Sequence, residues 1–198
     1  LERKLGIPGE DEYYGRGISY CAVCDGGFYR DKVITVIGGG NTALEESDYL
    51  TRFGSVVHLV LRRDKARADK IYRDKVQANP KIKVHLSYSP TEILGDGNKV
   101  TQIVFKSNDP NCPEPMTLDT DGVFPLIGTI PNTEFIKDLP ILNKAGYILT
   151  DEKMATSIPG IFAAGDVREK TLRQVITAGN DGSIAGQEVY HWLESLKA

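Results

Sequence analysis

Residues 31–64 read DKVITVIGGGNTALEESDYLTRFGSVVHLVLRRD, and this stretch decides the expected fold. Residues 33–37 are a β-branched run typical of a strand buried on both faces, and the run ends at three glycines. The pattern then predicts a helix over 41–53, stopped by Gly54, and a second buried strand over 56–61. Strand, glycine turn, helix and strand in this order indicate a parallel, Rossmann-like dinucleotide-binding sheet.

The segments that follow predict a third layer. A polar-faced helix is expected over 64–79 and a third strand over 82–86. Two strand-like runs flank Asp96-Gly97, which is a hairpin signal, and residues 116–128 supply more strand material. An antiparallel β element is therefore predicted after the third parallel strand.

The sequence pattern changes from residue 129 onward. Residues 129–150 show little periodicity, which is typical of a crossing between two units. A short apolar strand is expected over 161–164, and a long amphipathic helix from about Leu172. The sequence therefore predicts an α/β protein with more than one unit.

Composition narrows the classes of function. The 198 residues are 40% hydrophobic and 26% charged, as in soluble globular proteins, and the net charge of -3 does not predict a nucleic-acid partner. Apolar runs long enough to span a membrane and a signal-peptide plan are both missing from the sequence, so a cytoplasmic protein is expected. Three cysteines fit a reducing compartment.

The glycine turn matches the G-x-G-x-x-A pattern of dinucleotide-binding sites. Gly38 permits the tight turn, Gly40 lets the backbone approach a diphosphate, and Ala43 allows the helix to pack closely on its strand. The diphosphate would then lie at the positive N-terminus of the helix, next to Asn41 and Thr42.

The residues after the second strand predict which dinucleotide binds. A binder of NADH would place a carboxylate here for the ribose hydroxyls, but this chain has Arg62, Arg63 and, one helical turn later, Arg67. Guanidinium groups hold a phosphate bidentately, so the expected cofactor is NADPH. The alternative is that these arginines begin a solvated helix.

Cys21 and Cys24 form a CxxC pair with Asp25 directly behind it. A zinc site needs two further ligands. The third cysteine, Cys112, and the three histidines are scattered along the chain and do not have the sequence spacing of zinc ligands. A static disulfide across two residues would close too small a loop to stabilise much. Thiol–disulfide exchange is therefore favoured, with Asp25 as proton donor or acceptor, because an anion beside a thiol does not promote the thiolate.

Four motifs occur together in one order: CAVCDG from residue 21, GGGNTALEE from 38, RRDKARA from 62, and SIPGIFAAGDV followed by RQVITA from 157. Together they resemble the low-molecular-weight, bacterial-type thioredoxin reductases, which are class II pyridine nucleotide-disulphide oxidoreductases. The resemblance implies an NADPH-dependent thioredoxin-disulfide reductase that moves electrons from NADPH to FAD, then to the Cys21–Cys24 disulfide and then to thioredoxin.

The same resemblance assigns roles to individual residues. Cys24 would lie nearer the flavin, Cys21 would attack the thioredoxin disulfide, and Asp25 would be the acid–base residue. The NADPH contacts implied are Gly40, Asn41 and Thr42 for the diphosphate and Arg62, Arg63 and Arg67 for the 2'-phosphate. The FAD contacts implied are Asp166, Val167, Arg173, Gln174, Val175 and Ile176.

The resemblance also implies a domain plan and a departure from it. Residues 1–5 resemble a link leading out of an N-terminal part of the FAD domain, which this chain is too short to include. Residues 6–125 would be a three-layer ββα NADPH domain with the redox pair, and 126–198 the C-terminal part of the FAD domain. Family members are homodimers, and residues 126–198 without their partner sheet would expose apolar surface.

Two other functions are compatible with the sequence. A related flavin-dependent disulfide reductase could use another donor or acceptor, such as ferredoxin or a peroxidase, and Leu61 stands where the family often has histidine. The chain could also be an NADPH-binding module whose cysteines sense redox state without turnover.

Overall fold

The computed structural model describes residues 1–197, which divide into two compact units. Residues 2–128 form the first unit, and Leu1 joins residues 129–197 in the second. The first unit contains, in chain order, α1 (Ala22–Asp25), β1 (Val33–Ile37), α2 (Asn41–Leu50), β2 (Val56–Val60), α3 (Lys70–Ala78), β3 (Ile82–His85), β4 (Tyr88–Gly95), β5 (Val100–Ser107), β6 (Met116–Asp119) and β7 (Gly122–Pro125).

The first unit has the predicted α/β class and three layers. Its central sheet is parallel, in the order β3-β2-β1-β7, and a three-stranded antiparallel sheet has the order β4-β5-β6. Alternate residues of β1 face opposite ways, as strand geometry requires. Ile34 and Val36 pack against Leu44 and Leu50 of α2, whereas Ile37 belongs to the core formed with the antiparallel sheet.

Most predicted elements of this unit are confirmed, and two are corrected. The hairpin at Asp96-Gly97 joins β4 to β5, but residues 116–128 supply β6 to the antiparallel sheet and β7 to the parallel one. The helix predicted from residue 64 begins only at Lys70. Residues 62–68 form a loop because the Arg67 amide donates to the Gly39 carbonyl at 2.8 Å, a tertiary bond that sequence periodicity does not reveal.

A buried carboxylate holds the N-terminal segment of this unit in place. Glu10 is 2% exposed, and its two oxygens accept hydrogen bonds from the amides of Leu5 and Gly6 at 2.8 and 2.7 Å. The Tyr20 hydroxyl donates to the same carboxylate at 2.7 Å. Because Tyr20 precedes Cys21, this cluster fixes the chain at the entrance to the CxxC pair.

The second unit contains α4 (Val175–Ser195) and a small apolar core of Ile141, Ile148 and Ala163. The strand predicted over 161–164 does not form. Phe162 makes an isolated antiparallel bridge to Ala155 instead, and a single bridge leaves this segment as a turn-rich loop. The helix begins three residues later than expected, after Gln174.

Asp181 is the buried charge of the second unit. Its carboxylate accepts from Lys170 Nζ at 2.8 Å and the Gly165 amide at 3.1 Å, and it pairs with Arg168 at 2.9 Å. Burial alone would raise the pKa of Asp181, but these donors outweigh it and hold that pKa below the ordinary value. The turn at Gly165 is thereby fixed to α4.

Two histidines on neighbouring strands share a hydrogen bond inside the first unit. His58 Nδ1 on β2 lies 2.9 Å from His85 Nε2 on β3. Burial lowers the pKa of His58 to about 4, with smaller contributions from His85 and Lys83, and burial also lowers the pKa of His85. Both rings are therefore neutral in the folded chain at pH 7.

This pair predicts an acid-sensitive fold. In the unfolded chain both histidines gain protons near pH 6.5, whereas in the folded chain both pKa values are lowered, that of His58 to about 4, so the free energy of unfolding falls as the pH decreases below 6.5. Urea titrations at pH 7, 6 and 5 should show this decrease. His58→Gln should flatten it, and the control His191→Gln, on exposed α4, should not. An unchanged slope in the first variant would contradict this assignment.

Candidate functional site

The glycine turn between β1 and α2 has two different kinds of glycine. A Cβ on Gly38 would lie 2.4 Å from the Leu126 carbonyl oxygen and 2.7 Å from Ala43 Cβ, so no side chain fits there. A Cβ on Gly40 would meet nothing within 4 Å. Gly40 is also the N-cap of α2 and provides no side-chain acceptor for the first amides of the helix. This geometry fits a diphosphate.

The three arginines are exposed and lie on the loop of residues 62–68, beside this turn. Backbone hydrogen bonds hold the loop: the Arg67 amide donates to Gly39, and the Ser87 amide donates to the Arg63 carbonyl at 3.0 Å. Asn108 Nδ2 donates to the Arg62 carbonyl at 3.0 Å. Within residues 1–197 none of the three guanidinium groups forms an ion pair. They are thus available to an anion.

A reciprocal pair of hydrogen bonds ties the arginine loop to α2. Asn41 Nδ2 donates to Asp69 Oδ2 and the Asp69 amide donates to Asn41 Oδ1, both at 2.8 Å. The side-chain amide of Asn41, a residue predicted to contact the diphosphate, is thus hydrogen-bonded to Asp69. Thr42 follows it, exposed, in the first turn of α2. Sequence reasoning missed Asp69 because its partner is 28 residues away.

The CxxC pair opens α1 and forms a disulfide with a Cα–Cα distance of 5.2 Å. Cys21 is half-buried and Cys24 is exposed. Ser19 holds the first cysteine, because its hydroxyl accepts the Cys21 amide at 3.1 Å. Asp25 follows, half-buried, and its amide donates to the Cys21 carbonyl at 3.1 Å.

The redox segment packs on α2, the helix that begins at the glycine turn. A Cβ on Gly26 would lie 2.9 Å from a methyl carbon of Leu50 and 3.3 Å from the Phe53 ring, so the segment lies close against the end of that helix. One helix therefore contacts both the dinucleotide turn, at its first residue, and the disulfide segment, along its side.

The residues expected to contact FAD are in the second unit. Gly165–Val167 is a single 3-10 turn in which Asp166 is exposed, and Arg173 Nε donates to the Asp166 carbonyl at 3.4 Å. The Arg173 guanidinium also lies 4.2 Å from the centre of the Tyr147 ring. The structure thus brings the GDV turn and the RQVITA motif together.

The start of α4 presents an unusual apolar surface. Gln174 caps the helix together with Thr177, and the next two residues, Val175 and Ile176, are 91% and 80% exposed. Val175 and Ile176 thus form an exposed aliphatic pair within the segment for which an exposed apolar surface was predicted.

Asp181 and Glu46 are further residues that sequence reasoning did not single out. Asp181 fixes the GDV turn through the Gly165 amide, and the Glu46 carboxylate accepts the Ala22 amide next to Cys21 at 3.3 Å. Their signal in the sequence is weak, because acidic residues within helices are usually solvated.

Two features are absent from residues 1–197. No group of three or more metal-ligating side chains comes together there. No helix in the same range has the length and apolar character needed to cross a membrane.

Known proteins resemble this chain throughout. Residues 1–182 match the family model described as pyridine nucleotide-disulphide oxidoreductase. Proteins named thioredoxin reductase from Listeria innocua and Bacillus subtilis are each 47% identical over 98% of this chain, which covers 60% and 61% of their lengths. The crystal structure of thioredoxin reductase from Streptococcus pyogenes matches 98% of this chain, and 63% of its own, with a TM-score of 0.92 and 48% identity.

The chain belongs to the pyridine nucleotide-disulphide oxidoreductase family. The resemblance drawn from the four motifs is thereby confirmed at the level of the family, and the predicted α/β fold is confirmed by the structural match. The chain spans about three-fifths of the length of the relatives that it matches.

The geometry of the turn makes Gly38 a test of the fold. Gly38→Ala places a methyl group against the Leu126 carbonyl and Ala43, so we expect a loss of ~1–3 kcal/mol in the free energy of unfolding. The control Gly27→Ala enters open space and should stay within ~0.5 kcal/mol of the unchanged chain. Urea unfolding measures both, and equal losses would contradict the close approach.

Proposed function

We propose that this chain is the larger part of an NADPH-dependent thioredoxin-disulfide reductase, with FAD as the second cofactor. The observation that carries the proposal is the packing of the CxxC disulfide segment against α2, the helix that begins at an open dinucleotide turn. The names of the relatives from Listeria and Bacillus support the activity. A cytoplasmic location and a homodimeric parent protein are part of the same proposal.

The two units take different cofactors in this proposal. The first unit, with the glycine turn and the arginine loop, would be the NADPH part, for which the sequence predicted residues 6–125. The second unit, with Asp166, Val167 and the RQVITA motif, would be the C-terminal part of the FAD site, for which the sequence predicted residues 126–198. Gln174, Val175 and Ile176 at the start of α4 would then lie against the flavin.

The residues of the first unit would bind NADPH through its charges. Gly40, Asn41 and Thr42 would hold the diphosphate, at the start of α2 where Gly40 provides no side-chain cap. Arg62, Arg63 and Arg67, which form no ion pair within residues 1–197, would hold the 2'-phosphate. A bound flavin supplies the transfer of electrons from NADPH to the disulfide.

The disulfide chemistry follows from the cysteine pair itself. After reduction, the Cys21 thiolate attacks one sulfur of the thioredoxin disulfide, breaking that bond and forming a mixed disulfide. The Cys24 thiolate then attacks Cys21 Sγ, which releases thioredoxin as a dithiol and restores the Cys21–Cys24 bond. Asp25 lies next to Cys24 and would transfer the proton that the departing thiolate needs.

The surface around the disulfide suits a protein partner. Phe28 is 82% exposed and Val23 58% exposed, and both lie within four residues of Cys24. Exposed aromatic and aliphatic side chains beside a reactive group form the kind of patch that a partner covers. This supports a protein disulfide as the substrate over a small molecule.

The arginine loop makes a prediction about cofactor choice. Arg62→Ala, Arg63→Ala and Arg67→Ala should each weaken NADPH binding by roughly ten-fold, since a charged hydrogen bond contributes about 1.5–3 kcal/mol. NADH lacks the 2'-phosphate, so its affinity should change by less than about two-fold. Calorimetric titration of the chain with each dinucleotide checks this.

Arg30→Ala is the matched control, because Arg30 is an exposed arginine of the same unit away from the turn. It should leave both affinities unchanged. Equal losses for NADPH and NADH in the loop variants would contradict a 2'-phosphate site. Tighter binding of NADH than of NADPH by the unchanged chain would contradict it as well.

The exposed start of α4 makes a prediction about FAD. Because Val175 and Ile176 are uncovered, the 198-residue chain should hold FAD poorly, and the purified chain should show little flavin absorbance near 450 nm. The parent protein, prepared alongside as the control, should retain about one FAD per chain. Stoichiometric FAD on the 198-residue chain would contradict the expectation.

A further inference from the structure

The Glu46 carboxylate of α2 is hydrogen-bonded to the backbone next to the redox pair. The Glu46 side chain of α2 accepts a hydrogen bond from the Ala22 amide at 3.3 Å, and Ala22 is the residue that follows Cys21. Glu46 is half-buried and Ala22 is fully buried. The contact joins residues 24 positions apart, so it belongs to the tertiary structure and not to local chain geometry.

The amide of Ala22 needs such an acceptor. α1 is a single turn, and the first amides of any helix have no intrahelical carbonyl to bind. Cys21 is the N-cap, and its sulfur accepts the amide of Cys24 at 3.1 Å. With Ala22 withdrawn from water, Glu46 satisfies an amide that would otherwise be buried and unpaired.

The ionisation of Glu46 is sensitive to its surroundings. Burial is the main cause that raises its pKa, the Ala22 amide opposes this by stabilising the carboxylate, and the adjacent Glu45 adds to the rise. The Ala22 amide thus stabilises the ionised form of a half-buried carboxylate that is bonded next to Cys21.

We propose that Glu46 is a positioning residue for Cys21: its carboxylate holds the Ala22 amide and keeps a proton on the thiol that disulfide reduction releases. Like charges close together disfavour each other's ionised forms, so a carboxylate here makes the Cys21 thiolate less favourable. The proposal rests on the redox function of the pair.

Reduction of the Cys21–Cys24 disulfide consumes electrons and protons. Reduction delivers two electrons, breaks the Cys21–Cys24 bond and leaves two sulfurs that share one or two protons taken from solvent. In the parent protein the electrons come from NADPH through the flavin, and in the isolated chain dithiothreitol can supply them. With Glu46 ionised, Cys21 keeps its proton to higher pH, so a smaller fraction of Cys21 is the thiolate that attacks a partner disulfide.

Other ionisable groups in this region are placed differently. Glu45 on α2 is exposed, and Asp25 lies at the far end of α1. Asp48, also on α2, accepts from Asn79 Nδ2 at 2.8 Å, beyond α3. Tyr20, which precedes Cys21, donates to Glu10. Among these groups, Glu46 is the one bonded to the amide next to Cys21.

The test compares three variants of the 198-residue chain. Glu46→Gln removes the charge and keeps an oxygen that can accept the Ala22 amide. Glu46→Asp keeps the charge with a shorter side chain, and Glu45→Gln removes the charge of the exposed neighbour. Each chain is reduced with dithiothreitol, freed of it, and alkylated with iodoacetamide from pH 5 to 9, with Cys21 followed by mass spectrometry of its peptide.

The expected result is specific to one variant and one cysteine. Glu46→Gln should shift the alkylation midpoint of Cys21 to lower pH and speed its alkylation at pH 7 by roughly three- to ten-fold, because one nearby negative charge is lost. Glu46→Asp and Glu45→Gln should change that rate by less than about two-fold. Cys112, a free and exposed cysteine, is the internal reference and should react equally in all chains.

A second readout follows from the same charge. A more stable thiolate favours the dithiol, so in a fixed glutathione buffer a larger fraction of the Glu46→Gln chain should be reduced. An unchanged midpoint in Glu46→Gln would overturn the proposal, and so would equal shifts in the Gln and Asp variants, which would indicate a purely structural contact. Because neither readout uses NADPH, flavin or thioredoxin, absence of NADPH-driven turnover in the parent protein would contradict the proposed function alone.

Discussion

The close approach of β1 to α2 at Gly38 is the constraint on which the rest of the first unit depends. With no Cβ at this residue, the chain turns from strand to helix against the Leu126 carbonyl and Ala43. The turn sets the direction of α2, and α2 in turn supports the arginine loop through Asn41 and the redox segment through Leu50. The close contact at one glycine therefore positions both the nucleotide site and the disulfide.

The parts of the fold that the sequence predicts are those governed by local pattern. The β-branched strands, the glycine turn and the Asp96-Gly97 hairpin each carry their signal within a short stretch of neighbouring residues. The loop of residues 62–68 depends on a distant partner instead, and residues 161–164 form only an isolated bridge where a strand was predicted. Gly39 accepts the Arg67 amide across 28 positions, and this outweighs the helical periodicity of the segment.

The same division applies to the candidate site. Cys21, Cys24 and the arginines are visible in the sequence because two cysteines at this spacing, and arginines directly after a buried strand, indicate a narrow range of chemistry. Glu46 and Asp69 are ordinary acidic residues on or beside helices, and their importance arises from contacts that the tertiary structure creates. Their chemistry is set by burial and by specific donors, neither of which a single sequence displays.

Gly38 and Gly40, the two outer glycines of the turn, are restricted for different physical reasons. A methyl group at Gly38 collides with backbone, so this position is restricted by folding whatever the protein binds. A methyl group at Gly40 meets open space, so any restriction there comes from the ligand. A related protein that had lost dinucleotide binding could therefore replace the glycine at position 40 but would have to keep the glycine at position 38. Its sequence would retain only the half of the motif that the fold requires.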